Sequence, residues 1–200
     1  PAHCFATKGI QPMKSMTKRL LAALLAVAAL FALVGCSKSD KADAAPKDYT
    51  KILHDARPDE DNEYYMIFSP GEDGKFTAQY GYSDSYDAAQ LDEEIRNMLL
   101  PLLNLEEDMY TDFAASVSGM MVQSYGIAIV KPAEGKQQAV SEALDAYVQS
   151  QMQSMEHYLE DQYQIAASSH ISTAPTGEVI LVCCENPETV MNAIKTALAA

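Results

Sequence analysis

The chain has 200 residues, 48% hydrophobic and 21% charged, with 28 acidic against 14 basic side chains and a formal net charge of −14. A surface this acidic repels nucleic-acid phosphate and anionic lipid, so a nucleic-acid role is disfavoured and the charge reads as solubility. Tryptophan is absent and tyrosine frequent, which argues against a large aromatic-lined ligand groove and leaves a tyrosine platform open.

Residues 1–12 fit no part of an export plan and read as upstream, non-native sequence, with Met13 or Met16 as an ordinary start. Residues 13–35 read as a lipoprotein signal peptide. Lys14, Lys18 and Arg19 precede an apolar run over residues 20–34. As a helix that run covers about 22 Å, short of a bilayer core of about 30 Å, so it suits a secretory signal better than a span. It ends on Leu33-Val34-Gly35-Cys36, which resembles the bacterial lipobox. In that box Leu33, Val34 and Gly35 are read by the signal peptidase, and the Cys36 thiol takes a diacylglyceryl group before the chain is cut in front of it. An uncleaved anchor with an incidental cysteine is the plainer alternative, and charge, length and box positions all count against it. The expected partner is the membrane, reached through the diacylglyceryl anchor, and the expected location is its extracytoplasmic face. Removing residues 1–35 takes Lys8, Lys14, Lys18 and Arg19 and no acid. That leaves 10 basic against 28 acidic side chains, a formal charge of −18.

Residues 36–48 form the lipidated cysteine and a small, polar, disordered linker. Residues 49–200 are enough for one core and one domain. Tyr49–Arg57 suits a short helix stopped by Pro58, and Asp59–Glu63 a charged loop. Tyr64–Ser69 and Phe76–Tyr82 have strand composition and flank the turn formers Pro70–Gly74, which predicts a hairpin. Ala88–Leu105 repeats apolar residues at helical spacing, with Asp87 or Ser85 as cap and Pro101 ending or bending it. Ala115–Gln123 and Tyr125–Lys131 read as an antiparallel strand pair. The longest helix is expected over Lys136–Asp161, followed by strands at Ile165–Thr173 and Glu178–Glu185. A last helix opens with Asn186 as cap and Pro187 in its first position. The predicted class is α+β: an antiparallel sheet with helices packed mainly on one face, behind a signal peptide and flexible tether.

Cys183 and Cys184 are adjacent, with Cα atoms about 3.8 Å apart, under the usual disulfide range. Two buried free thiols are expected; a redox pair is the sharper alternative. Tyr125-Gly-Ile-Ala-Ile-Val-Lys-Pro-Ala-Glu-Gly135, Tyr158-Leu-Glu-Asp-Gln-Tyr163, Gly177-Glu-Val-Ile-Leu-Val-Cys-Cys-Glu185 and, less specifically, Asp55-Ala-Arg-Pro58 stand out as motifs. Through these stretches residues 105–200 resemble an uncharacterised family of bacterial cell-surface lipoproteins, domain of unknown function four-three-five-eight. The resemblance implies a lipobox start and this architecture. It brings no activity and no catalytic residue.

The residues themselves offer little chemistry. His54, His157 and His170 are far apart and lack metal-site spacing, so no metal and no cofactor is expected. Asp59–Glu63 resembles a calcium loop in charge alone. Ser116 and Ser118 make no nucleophile elbow, and Glu106, Glu107 and Asp108 read as solvated acids. Tyr64, Tyr65, Tyr80, Tyr82 and Tyr86 cluster; on one hairpin face they would stack on cell-wall sugars or dock an envelope protein. Ordinary strand packing is the blander reading and the favoured one. The leading expectation is a non-catalytic envelope lipoprotein for binding or assembly. The alternative is a cell-wall-acting enzyme or enzyme accessory using carboxylates near the tyrosines. No catalytic residue is assigned.

Overall fold

A computed structural model describes residues 46–200. The expected signal peptide, with Leu33, Val34, Gly35 and Cys36, lies outside the described residues. The strands are β1 (Ile67–Pro70), β2 (Phe76–Gln79), β3 (Tyr110–Val117), β4 (Gly126–Pro132), β5 (His170–Thr173) and β6 (Val179–Cys183). They form one sheet in the order β2-β1-β3-β4-β6-β5, and every neighbouring pair is antiparallel. The helices are α1 (Tyr49–Ala56), α2 (Asp59–Tyr64), α3 (Ala88–Glu94), α4 (Gln137–Met155), α5 (Glu160–Ala167) and α6 (Pro187–Ala199). Class and sheet are those the sequence pattern predicts. Among the described residues, no helix is long and apolar enough to cross a membrane.

Both faces of the central strands are buried, which is why β4 and β6 read as unbroken apolar runs. Ala128, Val130, Val179, Leu181 and Cys183 point to one cluster, with Leu91, Leu144, Tyr147 and Ala166 of α3, α4 and α5. Ile127, Ile129, Ile180, Val182 and Cys184 point to the other, with Leu53 of α1 and Val190, Met191, Ile194 and Leu198 of α6. The larger share of helix therefore lies on one face, and α1 and α6 cover the reverse. The strand alternation sends Cys183 and Cys184 to opposite faces, and both are free and buried. Burial pushes the Cys183 thiol up to about 11 and the Cys184 thiol up to about 12, which leaves them inert.

Several elements differ from the sequence expectation. The linker's last residues are tied down: Lys47 donates to the Leu198 carbonyl, and Asp48 caps α1 by accepting from Lys51 N at 2.9 Å. Asp59–Glu63 is helical rather than a loop. Its three leading acids sit in the first turn, where the helix dipole favours them. The first strand begins at Ile67, after Tyr64 and Tyr65, and β3 ends at Val117. Gly119-Met-Met-Val122 has strand composition but forms an exposed loop. The long helix stops at Met155 and restarts at Glu160 because Leu159 takes an extended conformation. Helical phase carries through this break, so periodicity does not reveal it. Ile165 consequently lies on α5 and not on a strand.

Asp87 is the cap of α3, with a full capping box to Gln90. A π-turn over Ile95–Leu99 and one α-turn over Leu100–Leu102 continue that helix. Pro101, which lacks the N–H for a regular helical bond, sits just beyond the widened turn. Asn186 does not cap α6 through its side chain. It adopts φ 51°, a left-handed conformation asparagine tolerates, and its carbonyl accepts from Thr189 N at 3.1 Å.

The junction of β4 and α4 admits no extra atom. The Tyr147 hydroxyl donates to the Tyr125 carbonyl at 2.8 Å, and a Cβ on Gly126 would stand 2.6 Å from that hydroxyl. At Gly119 a Cβ would meet only Leu99 Cδ2, at 3.7 Å. Gly126→Ala is expected to cost about 2 kcal/mol in urea unfolding, and Gly119→Ala less than about 0.5 kcal/mol. Equal effects would refute the packing account.

Candidate functional site

The chain ends of β3 and β6, the starts of β1 and β4, and the residues after β2 meet at one end of the sheet. There a cleft of about 1160 Å³ opens. One wall is the α1–α2 segment, with Arg57, Glu60, Asp61, Tyr64 and Tyr65. The opposite wall brings Glu94 and Met98 from α3 and its π-turn, and Gln162 and Ile165 from α5. The β3–β4 loop and the β6–α6 turn, with Ser124, Tyr125, Cys184 and Glu185, complete it.

Arg57 is the hub. It is 4% exposed, and burying a guanidinium is costly unless its donors are met. Nε donates to Asn62 Oδ1 at 2.6 Å, and Nη2 to the Tyr65 carbonyl at 2.7 Å. Nη1 donates to Ser116 Oγ at 2.7 Å and to the Tyr125 hydroxyl at 3.1 Å. These bonds tie α2 and the start of β1 to β3 and β4. Asn62 in turn donates from Nδ2 to the His54 carbonyl at 3.0 Å and accepts from Gly81 N at 2.9 Å. Gly81 has φ 53°, and a Cβ there would strike the Tyr65 backbone at 2.5 Å, so only glycine lets these segments close up.

The tyrosines sit around this hub, and none lies within β1 or β2. Tyr65 stacks on Tyr125 at 3.8 Å between ring centroids, 12° from parallel. Tyr64 stands on the rim, 63% exposed. Tyr82 and Tyr86 line the cleft, 6.1 Å apart. Tyr80 does not join them: with φ 68° it packs over His54 at 4.2 Å. The expected single hairpin face is therefore replaced by a platform built from three separate stretches of chain, residues 64–65, 82–86 and 125. Burial raises the Tyr125 and Tyr82 hydroxyls above their ordinary pKa, so both stay protonated.

Four carboxylates line the cleft: Glu60, Asp61, Glu94 and Glu185. Asp61 is half-buried. Burial raises its pKa; the Tyr125 hydroxyl and the Arg57 charge pull it back, and Glu60 and Glu185 push it up again. The other acids singled out in the sequence lie elsewhere. Glu107 accepts from Arg96 Nη1 at 2.6 Å and Asp108 from Lys136 Nζ at 2.6 Å, in exposed ion pairs. Among the described residues, no group of three His, Cys, Asp or Glu side chains is placed to hold a metal ion.

Sequence reasoning missed Arg57 and Asp61. The one available signal was Asp55-Ala-Arg-Pro58, already part of the family resemblance. Fold and cleft together define an α+β domain with an aromatic and acidic cleft at one end of an antiparallel sheet. The chain belongs to the domain of unknown function family DUF4358, whose model matches residues 83–185. The match begins earlier than the resemblance read from sequence and stops before α6. It takes in one wall and the floor of the cleft, while the Arg57–Tyr65 wall precedes it. No curated protein and no solved structure matches the chain.

Arg57→Met is expected to lose about 3 kcal/mol in urea unfolding, because four acceptors lose a donor. A loss under about 1 kcal/mol would show that the hub is not structural. Asp61 has the opposite sign. Below its ordinary carboxyl pKa of 3.8 it is protonated whether folded or unfolded. As pH rises, the unfolded chain releases the proton first, so folding loses stability until the raised folded pKa is passed. Asp61→Asn removes that penalty. Its melting temperature is expected to exceed the parent's near pH ~7 and to equal it near pH ~3. A variant less stable at neutral pH would contradict this.

Proposed function

We propose that this chain is a cell-envelope lipoprotein whose folded module binds a partner or ligand in the cleft and performs no catalysis. The observation that carries the reading is the cleft itself. A buried guanidinium network fixes its back wall, while exposed Tyr64 and the methionines Met98 and Met120 form its rim. Preformed walls with aromatic and flexible apolar contacts suit binding. Export through residues 13–35 and lipidation of Cys36 are supported by the basic, apolar and lipobox segments in order. The anchor would hold the acidic module at the extracytoplasmic face of the membrane.

A second reading, a wall-acting enzyme or enzyme accessory, is favoured by one observation. Asp61 has a raised pKa beside Glu60 and Glu185 in a cleft, and such groups concentrate at catalytic sites. It requires that the purified chain release soluble fragments from isolated cell wall.

Cys36→Ala is expected to shift the protein from the membrane to the soluble fraction, and mass spectrometry of the parent to find a lipidated amino-terminal Cys36. Continued membrane attachment of Cys36→Ala would overturn the anchor. A photo-crosslinker at Tyr64 is expected to capture envelope material that one at Tyr158, exposed and outside the cleft lining, does not. Equal capture at both sites would overturn the cleft.

A further inference from the structure

The cleft's charge is one-sided. Its lining holds four carboxylates, and its sole basic residue, Arg57, is buried with its donors directed to Asn62, Ser116, Tyr125 and Tyr65. An anion would face four like charges and a cation already engaged. A cation would face Asp61, half-buried with Glu60 and Glu185 beside it, and tyrosine faces that attract cations.

A second, independent observation concerns Ser124. It is 2% exposed, it lines the cleft, and its Oγ is the one buried side-chain polar atom among the described residues with no hydrogen-bond partner. A buried hydroxyl left without a partner destabilises the fold. Its backbone N–H is already used, donating to Gln162 Oε1 at 2.8 Å. The unpaired hydroxyl has a bond left to give, and a rotation about its Cα–Cβ bond would present it to an acceptor such as a peptide carbonyl in the cleft. The third feature is the apolar rim. Met98 is 54% exposed and Met120 58% exposed, with Ile165 and Val190 also lining the cleft. Methionines of this kind adapt to the aliphatic stem of a long side chain.

Resting on the cleft as a binding site, we infer that its occupant is a basic peptide segment of a partner protein. A lysine or arginine enters with its charge against Asp61 and its stem along Met98 and Met120. A carbonyl of the same segment accepts from the Ser124 hydroxyl. A free polyamine offers the charge and no acceptor; an acidic peptide offers the acceptor and the wrong charge.

The test is fluorescence anisotropy on the full chain in detergent, with labelled acetyl-Lys-Tyr-Lys-amide, acetyl-Glu-Tyr-Glu-amide and spermidine as competitor. The basic peptide is expected to bind, the acidic one not, and spermidine to compete weakly. Raising salt from roughly 0.05 to 0.5 M should weaken binding strongly. Asp61→Asn should weaken it at least about tenfold while keeping or raising the melting temperature, so the loss is not unfolding. Ser124→Ala should weaken it several-fold with the salt dependence unchanged. Failure of the basic peptide to bind, or equal binding by Asp61→Asn, overturns the inference. Selective crosslinking at Tyr64 alongside either failure leaves the cleft as a binding site for another ligand, whereas crosslinking that does not discriminate Tyr64 from Tyr158 removes both.

Discussion

A guanidinium taken out of water must be given acceptors, and that requirement at Arg57 organises this molecule. The acceptors come from α2, from the entry to β1, from β3 and from the first residue before β4. Satisfying one cation therefore joins the amino-terminal helices to the middle of the sheet. Asn62 extends the network to Gly81, and Tyr65 stacks on Tyr125 beside it. The fold gains a fixed corner at the place where a two-faced sheet runs out of strand and would otherwise expose loops.

That corner becomes a cleft because its two sides differ physically. The Arg57 side is rigid, held by short polar contacts. The facing side is a π-turn and a loop whose methionines are exposed. Widened helical turns are poor packing elements and often lie at functional sites, and this one carries Met98 beside Glu94 into the lining. Asp61, on the Arg57 side, carries an ionised form that burial disfavours.

Much of the architecture was legible because it follows from local rules. Alternation and apolar runs mark β4 and β6, a capping side chain at Asp87 marks α3, and Pro187 marks the start of α6. Errors came where two conformations share one pattern. Met120, Met121 and Val122 have strand composition on an exposed loop. The helical phase across Leu159 conceals a break. Asn186, a natural cap, takes the left-handed region instead.

The sequence by itself determined the class of fold, the acidic surface and the lipobox pattern ahead of Cys36, since each depends on composition or on neighbours along the chain. It also placed five of the 11 tyrosines, Tyr64 to Tyr86, near one another along the chain. Only tertiary structure decided which of them share a surface, setting Tyr64, Tyr65, Tyr82 and Tyr86 around the cleft and turning Tyr80 to His54. It alone brought Arg57 to Ser116 and Tyr125, 59 and 68 residues away. Such pairings are set by which strands lie side by side, and no local spacing encodes them.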